Sequence, residues 1–128
     1  MVIVPIVGVS LLAERALQAA MRLGGEVVPL AVDIEPAETS QLREQWKRWD
    51  PGVDLQVLPS PHRNLVPPMI TYVRTQMQQG RHVTVLLAQV EPTRRRYRIL
   101  HNQRGLILAA ALRVRTDAVI ATLVVRVS

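Results

Sequence analysis

The chain of 128 residues is long enough to bury the core of one domain, and we treat residues 1–128 as a single domain. It contains no Cys, which excludes a disulfide framework, a thiolate zinc site and a cysteine nucleophile. Aromatic residues make up 3% and Phe is absent, so binding of single-stranded nucleic acid on stacked aromatic side chains is poorly supported. No signal peptide is visible, and no apolar stretch approaches the roughly 18 residues that span a bilayer.

The net charge is +6, and every cationic residue except Lys47 is an arginine. The planar guanidinium group can bind phosphate through two hydrogen bonds, which favours an anionic partner such as a nucleotide, a nucleic acid or an acidic membrane surface. A genome rich in G and C would give the same composition without any ligand. Composition alone leaves both explanations open.

Five short apolar runs predict buried strands over residues 2–7, 27–34, 53–58, 83–90 and 118–127. Amphipathic stretches between these runs predict four helices. Their predicted starts are an N-cap at Ser10, Pro36 in a first turn, an N-cap at Asn64, and Tyr97 or His101 for the last helix, which ends at Arg113. The alternation predicts an α/β fold with a five-stranded parallel doubly wound sheet, Rossmann-like, with helices on both faces.

Two features inside these elements concern packing. Pro29 lies within the second run and cannot donate to a ladder, so it indicates an edge strand, a bulge or a locally missing bond. Trp46 and Trp49 follow Leu42 at helical spacing. We expect the two indole rings to pack the second helix onto the sheet rather than to bind a ligand.

An arginine-rich segment follows the fourth predicted strand and precedes the last helix. Ligands bind outside the carboxyl ends of strands in an open parallel sheet, so cations and amides there predict a site for an anionic, base-bearing ligand. The arginines would hold phosphate and the later side chains would shape a base site, since an amide pairs with an adenine edge. The residues concerned are Arg94, Arg95, Arg96, Arg98, His101, Asn102 and Gln103. A solvated basic loop followed by ordinary helix capping is the alternative.

Other residues are expected at the same edge of the sheet. Asp33 ends the second strand and could bond a ribose hydroxyl. His62 and Arg63 follow the third strand and could meet a phosphate, or could simply anchor their loop. Apolar walls are expected from Val4, Pro5, Ile6, Val32 and Ala88. No spacing predicts a metal site, and no nucleophile has a partnered base, so we expect a protein that is not an enzyme and requires no cofactor.

Three segments resemble the opening of the universal stress protein family: 4–8 (Val-Pro-Ile-Val-Gly), 14–17 (Glu-Arg-Ala-Leu) and 23–32 (Leu-Gly-Gly-Glu-Val-Val-Pro-Leu-Ala-Val). The resemblance implies a universal-stress-protein-like fold over the whole chain. Nucleotide-binding members of that family carry a glycine-rich motif after strand four. Its spacing falls here on Pro92, Arg95, Gly105 and Leu106, so one glycine remains and arginine side chains stand where a backbone cradle is usual.

A closer resemblance is to the cytosolic C-terminal domain of permeases in the amino acid–polyamine–organocation superfamily. Its marks are 46–53 (Trp-Lys-Arg-Trp-Asp-Pro-Gly-Val), 60–66 (Ser-Pro-His-Arg-Asn-Leu-Val) and 100–104 (Leu-His-Asn-Gln-Arg). The resemblance implies a regulatory or dimerisation module on the cytoplasmic side of the cell membrane, attached to the transmembrane domain of the same permease. Related potassium importers are regulated by cyclic di-AMP.

We therefore expect a homodimeric regulatory domain that binds an adenine nucleotide, with cyclic di-AMP favoured over ATP and AMP, and that does not bind nucleic acid. Three alternatives stay open. One is a nucleotide-free dimerisation module of the transporter, one is a free-standing ATP-binding stress protein, and one is a nucleic-acid binder that uses the arginine loop.

Overall fold

The computed structural model describes residues 1–90 and 103–125. Strands and helices alternate along the chain in the predicted order. The elements are β1 (Val2–Pro5), α1 (Leu11–Arg22), β2 (Val27–Asp33), α2 (Pro36–Trp49), β3 (Gln56–Pro59), α3 (Val66–Gln78), β4 (Thr84–Val90), α4 (Gln103–Arg115) and β5 (Val119–Val125).

The five strands form one parallel sheet in the order β3-β2-β1-β4-β5. Helices α1 and α2 pack on one face, with Leu17 and Trp46 in the same buried cluster as Val4. Helices α3 and α4 pack on the other face, where Val73 and Leu112 are buried. Successive strand residues point to opposite faces, and both faces are covered by helices, which explains why the central strands are mostly apolar, with Thr84, Gln89 and Asp33 as the polar positions of β2 and β4. The predicted five-stranded doubly wound α/β fold is confirmed.

The helix ends follow local chemistry. The Ser10 side chain accepts a hydrogen bond from Ala13 N at 3.3 Å and caps α1, as predicted. Helix α2 ends at Trp49, and the C-cap residue Asp50 has a φ of 46°, which lies in the left-handed region. Trp46 is buried and its ring meets that of Trp49 edge to face, with centroids 4.9 Å apart. The expected packing role is confirmed for both tryptophans, because Trp46 belongs to the core cluster and the half-buried Trp49 packs against it.

Several predicted boundaries are wrong: β1 ends at Pro5 rather than at residue 7, and the last helix ends at Arg115 rather than at Arg113. The third strand begins at Gln56 rather than at residue 53, because residues 53–55 precede the ladder with β2, which starts at Leu30 and Gln56. The N-cap of α3 is Leu65 rather than Asn64. The Asn64 side chain nevertheless accepts a hydrogen bond from Val66 N at 3.3 Å, so it satisfies one amide of the first turn. The alternative starts of the last helix at Tyr97 and His101 lie outside the described residues.

Pro29 does not mark an edge, because β2 lies between β3 and β1. Val2 N donates to Glu26 O and Ile6 N donates to Leu30 O, so even-numbered positions of β2 bond to β1. The nitrogen of Pro29 therefore faces the side of β3, where the ladder starts one residue later, at Leu30. The missing donor removes no bond from either ladder, and this is how a buried proline fits inside the sheet.

Candidate functional site at the carboxyl edge of the sheet

Strands β2 and β3 follow β1 on one side of the sheet, whereas β4 and β5 lie on its other side, so the strand order reverses between the neighbours β1 and β4. Such a switch point leaves a crevice outside the carboxyl ends of its two strands. Strand β1 ends at Pro5 and leads through residues 6–10 to α1. Strand β4 ends at Val90, and the arginine-rich segment follows it directly. The described structure thus defines where a ligand crevice would lie.

The residues expected to form apolar walls are divided between the two faces of the sheet. Val4 and Ile6 are 0% and 2% exposed, and both belong to the cluster under α1 and α2, against which Ala88 packs. Val32 packs against the cluster on the opposite face. Pro5 is half-buried at the end of β1. Val4 and Ile6 are therefore core residues without an exposed surface, while Pro5, Val32 and Ala88 keep some exposed surface.

Among the residues that the structure describes at the switch point, Val7 and Leu11 are apolar and exposed, at 62% and 46%. Val7 lies between β1 and α1, and Leu11 lies in the first turn of α1. Positions with this much exposure are usually occupied by polar residues. Sequence reasoning did not select them as candidates. The available signal was the presence of apolar residues close to the helix cap Ser10, one before it and one directly after it.

Asp33 ends β2, and its carboxylate is already engaged. Thr39 Oγ1 donates to Asp33 Oδ1 at 2.8 Å and also lies 3.2 Å from the carbonyl of Glu35. Thr39 is the buried polar residue among the described core positions, and it fixes the carboxylate against the first turn of α2. The second oxygen of Asp33 is the one that could reach a ribose hydroxyl. Thr39 was not foreseen, because its partner is fixed by the turn between β2 and α2.

The loop after β3 is closed by Ser60, which accepts from Asn64 N at 2.9 Å and donates to the Asn64 carbonyl at 3.0 Å. Arg63 adopts a left-handed φ of 52° within this loop. Its Nη1 lies 3.5 Å from Glu35 Oε1, and both side chains are exposed. This geometry favours the loop-anchoring interpretation of Arg63, while the side chain of His62 is exposed.

Part of the predicted site lies outside the described residues, namely Arg94, Arg95, Arg96, Arg98, His101 and Asn102. Gln103 is the first residue of α4. A helix that follows a parallel strand begins at the carboxyl edge of the sheet, so the positive end of the α4 dipole lies at the candidate site. Within the described ranges, no group of three His, Cys, Asp or Glu side chains is placed to hold a metal ion. Among the described helices none combines the length and apolar content that crossing a bilayer demands.

The fold and the switch-point crevice define a doubly wound α/β domain of the kind that binds ligands at its carboxyl edge. The family profile described as "KimA potassium transporter C-terminal domain" matches residues 1–125, and the chain belongs to this family. The potassium transporter KimA of Bacillus subtilis (strain 168) is 29% identical over 126 residues, which cover 95% of this chain and 21% of that protein. The chain thus spans about a fifth of the length of that relative. Its family is a domain of a transporter, which is not an enzyme.

Proposed function

We propose that this chain is the cytosolic regulatory domain of a potassium transporter, and that it binds an adenine nucleotide, with cyclic di-AMP favoured over ATP and AMP. Membership in the transporter family supports the first part. The observation that carries the second part is the end of β4 at Val90, beside β1 at the switch point. The arginine-rich segment follows that point in the sequence.

The chemistry of this segment favours a phosphate-bearing ligand. Arg94, Arg95, Arg96 and Arg98 offer forked donors for phosphate oxygens, and His101, Asn102 and Gln103 offer groups for a base. The start of α4 adds positive potential, and Asp33 keeps one oxygen for a ribose hydroxyl. The glycine-rich cradle of ATP-binding stress proteins is mostly replaced. This departure and the resemblance to cyclic di-AMP-regulated importers favour cyclic di-AMP.

A homodimer is part of the proposal, and strand β5 supports it. In the described part of the chain, β5 pairs only with β4 and so leaves one side as a sheet edge. Its seven residues carry no charge, and Val119 and Val124 are 61% and 49% exposed. Natural proteins cover or charge such an edge, and pairing with a second copy would cover it. The same observation supports the second candidate function, a dimerisation module that binds no nucleotide.

The remaining partner is the transmembrane domain of the same polypeptide, since about four fifths of the relative lies outside the matched region. The relative is named as a potassium transporter, and we propose that the transporter to which this chain belongs also carries potassium. A bound nucleotide can shift transport only if its affinity differs between transporter conformations. The domain would lie on the cytoplasmic side of the membrane.

Isothermal titration calorimetry with cyclic di-AMP, ATP and AMP tests the proposal. We expect heat with cyclic di-AMP and weaker or no heat with the other two. Arg95→Ala should weaken cyclic di-AMP binding at least about tenfold, as expected for loss of one charge-assisted phosphate contact. Arg48→Ala is the matched control, because Arg48 is an exposed arginine in the last turn of α2. Absence of heat with all three nucleotides would favour the nucleotide-free dimerisation module.

A further inference from the structure

A groove of about 770 Å³ lies beside β3, separate from the switch-point crevice. Its walls are the end of β3, the loop after it and the outer side of α3. The apolar part of the lining consists of Leu58, Pro59, Pro61, Pro67, Pro68 and Tyr72. The volume falls within the range of pockets that bury small ligands or short peptide segments.

The chemistry of the groove does not suit an anion. The start of α3 would normally offer free amides, but Pro67 and Pro68 have none and Val66 N is bonded to Asn64 Oδ1. Among the described residues, the lining includes no Asp, Glu, Lys or Arg, and His62 is its one titratable side chain besides Tyr72. Burial raises the pKa of Tyr72, which favours the neutral phenol, and the Tyr72 hydroxyl donates to Gln56 Oε1 at 3.2 Å. The groove is therefore suited to an uncharged occupant.

The shape of the groove suits an extended segment. From Pro67 to Gln76, α3 advances about 14 Å, which about four extended residues would span. In the described part of the chain, β3 pairs only with β2, so its other side is a sheet edge that can accept a strand. Gln76 Oε1 is buried and accepts no hydrogen bond from the described residues. A turn of this half-buried side chain toward the groove would let an amide N–H of the occupant satisfy it.

The length of polypeptide outside this chain indicates where such a segment comes from. The matched region is 21% of the relative, so most of that protein is available to contact the domain. A regulatory domain needs a contact that differs between transporter conformations. In the proposed function the switch-point crevice binds the nucleotide and the β5 edge binds a second copy, so neither is free for this contact. The groove offers a third surface, which lies beside β3 at the opposite edge of the sheet from β5.

We propose that the β3–α3 groove receives an extended, uncharged segment from the membrane-embedded part of the same transporter. This inference rests on the proposed function, because it requires the longer polypeptide. Occupancy of the groove would couple the nucleotide-bound domain to transport. It would also explain the proline-rich wall, since proline side chains present apolar surface at little entropic cost.

The experiment uses the full-length transporter with a photoreactive benzoylphenylalanine in place of Thr71, an exposed residue of the groove wall. Gln18, exposed on α1, is the matched control position. Mass spectrometry of the cross-linked peptides identifies the contact. We expect Thr71 to cross-link to a segment of the transporter sequence outside residues 1–128, and Gln18 to give no such product. Thr71→Cys should also react with a thiol reagent about tenfold more slowly than Gln18→Cys in the native transporter.

Equal thiol reactivity at the two positions, or Thr71 cross-links only to peptides within residues 1–128 or to another protein, would overturn this inference. Cyclic di-AMP binding is measured in the same preparations. If cyclic di-AMP still binds while Thr71→Cys reacts as fast as Gln18→Cys, the groove proposal alone is refuted. If the reading frame contains no membrane-spanning region, the proposal that this chain is a transporter domain is refuted.

Discussion

Arg63 Nη1 lies 3.5 Å from Glu35 Oε1 and thereby joins the loop after β3 to the N-cap residue of α2. The ion pair is exposed, and such pairs contribute between about 0 and 1 kcal/mol. The φ of Arg63 is 52°, a left-handed conformation that costs a residue with a Cβ about 1–2 kcal/mol relative to its usual regions. The loop therefore holds Arg63 in a backbone conformation that is unfavourable for a residue with a Cβ atom.

Two substitutions at position 63 separate these effects. Arg63→Gly removes the ion pair and the backbone strain, whereas Arg63→Ala removes only the ion pair. We expect the glycine variant to exceed the alanine variant in free energy of unfolding by about 1 kcal/mol, measured by urea denaturation. Glu35→Gln should resemble Arg63→Ala. Equal stability of the Gly and Ala variants would contradict the left-handed conformation.

Trp46 Nε1 donates to the carbonyl of Val53 at 2.9 Å and so ties α2 to the chain that leads into β3. Trp46→Phe should lower the free energy of unfolding by about 2 kcal/mol, because it leaves that carbonyl without its donor and leaves space in the core. Trp49→Phe is the control, since Trp49 is half-buried. Its cost should stay below about 1 kcal/mol. The tryptophan that remains in each variant reports unfolding by fluorescence, and similar losses in both variants would argue against the Trp46 bond.

The architecture could be predicted from sequence because apolar runs alternate with helical spacing over the whole described chain. Val53, Leu55 and Val57 alternate as strand residues do and pack against the core, yet the ladder begins only at Gln56. Periodicity reports which side chains face the core, whereas strand pairing also depends on the position of the neighbour. Pro29 shows the same limit, because which side its nitrogen faces depends on a register that no local pattern encodes.

The candidate site was less predictable than the fold. The position of the arginine-rich segment after a central strand follows from element order, so its connection to the switch point could be inferred. The bond from Thr39 to Asp33 and the pair of Arg63 with Glu35 depend on turn geometry, and sequence spacing does not specify them. Val7 falls within the predicted buried strand over residues 2–7 and no pattern singles out Leu11, although the structure exposes both side chains at the crevice.

Tyr72 provides a test by pH. Burial raises its pKa above the ordinary value of 10.0, and the negative charge of Glu26 raises it further, while Arg81 opposes the shift. The folded state therefore holds the phenol proton more tightly than the unfolded chain. The resulting stability is complete below pH 10 and is lost as the pH rises through the folded pKa.

We expect the free energy of unfolding of the wild type to fall faster above pH 10 than that of Tyr72→Phe. Ultraviolet titration of a Tyr97→Phe background, in which Tyr72 is the remaining tyrosine, measures the pKa directly. Glu26→Gln should lower this pKa, because it removes one of the two causes that raise it. A Tyr72 pKa at or below 10 in the folded protein would contradict the burial of the phenol.

The β5 edge makes the oligomeric state testable. Val124→Lys places a charge on an apolar residue of the edge strand, and natural proteins use lysine at edges to prevent pairing. We expect this variant to be monomeric in sedimentation velocity at concentrations where the wild type is dimeric. Leu23→Lys is the matched control, because Leu23 is a 67% exposed leucine after α1, away from β5, and its variant should remain dimeric. A wild type that is monomeric throughout, or a dimer that Val124→Lys leaves intact, would show that the two copies do not associate through β5.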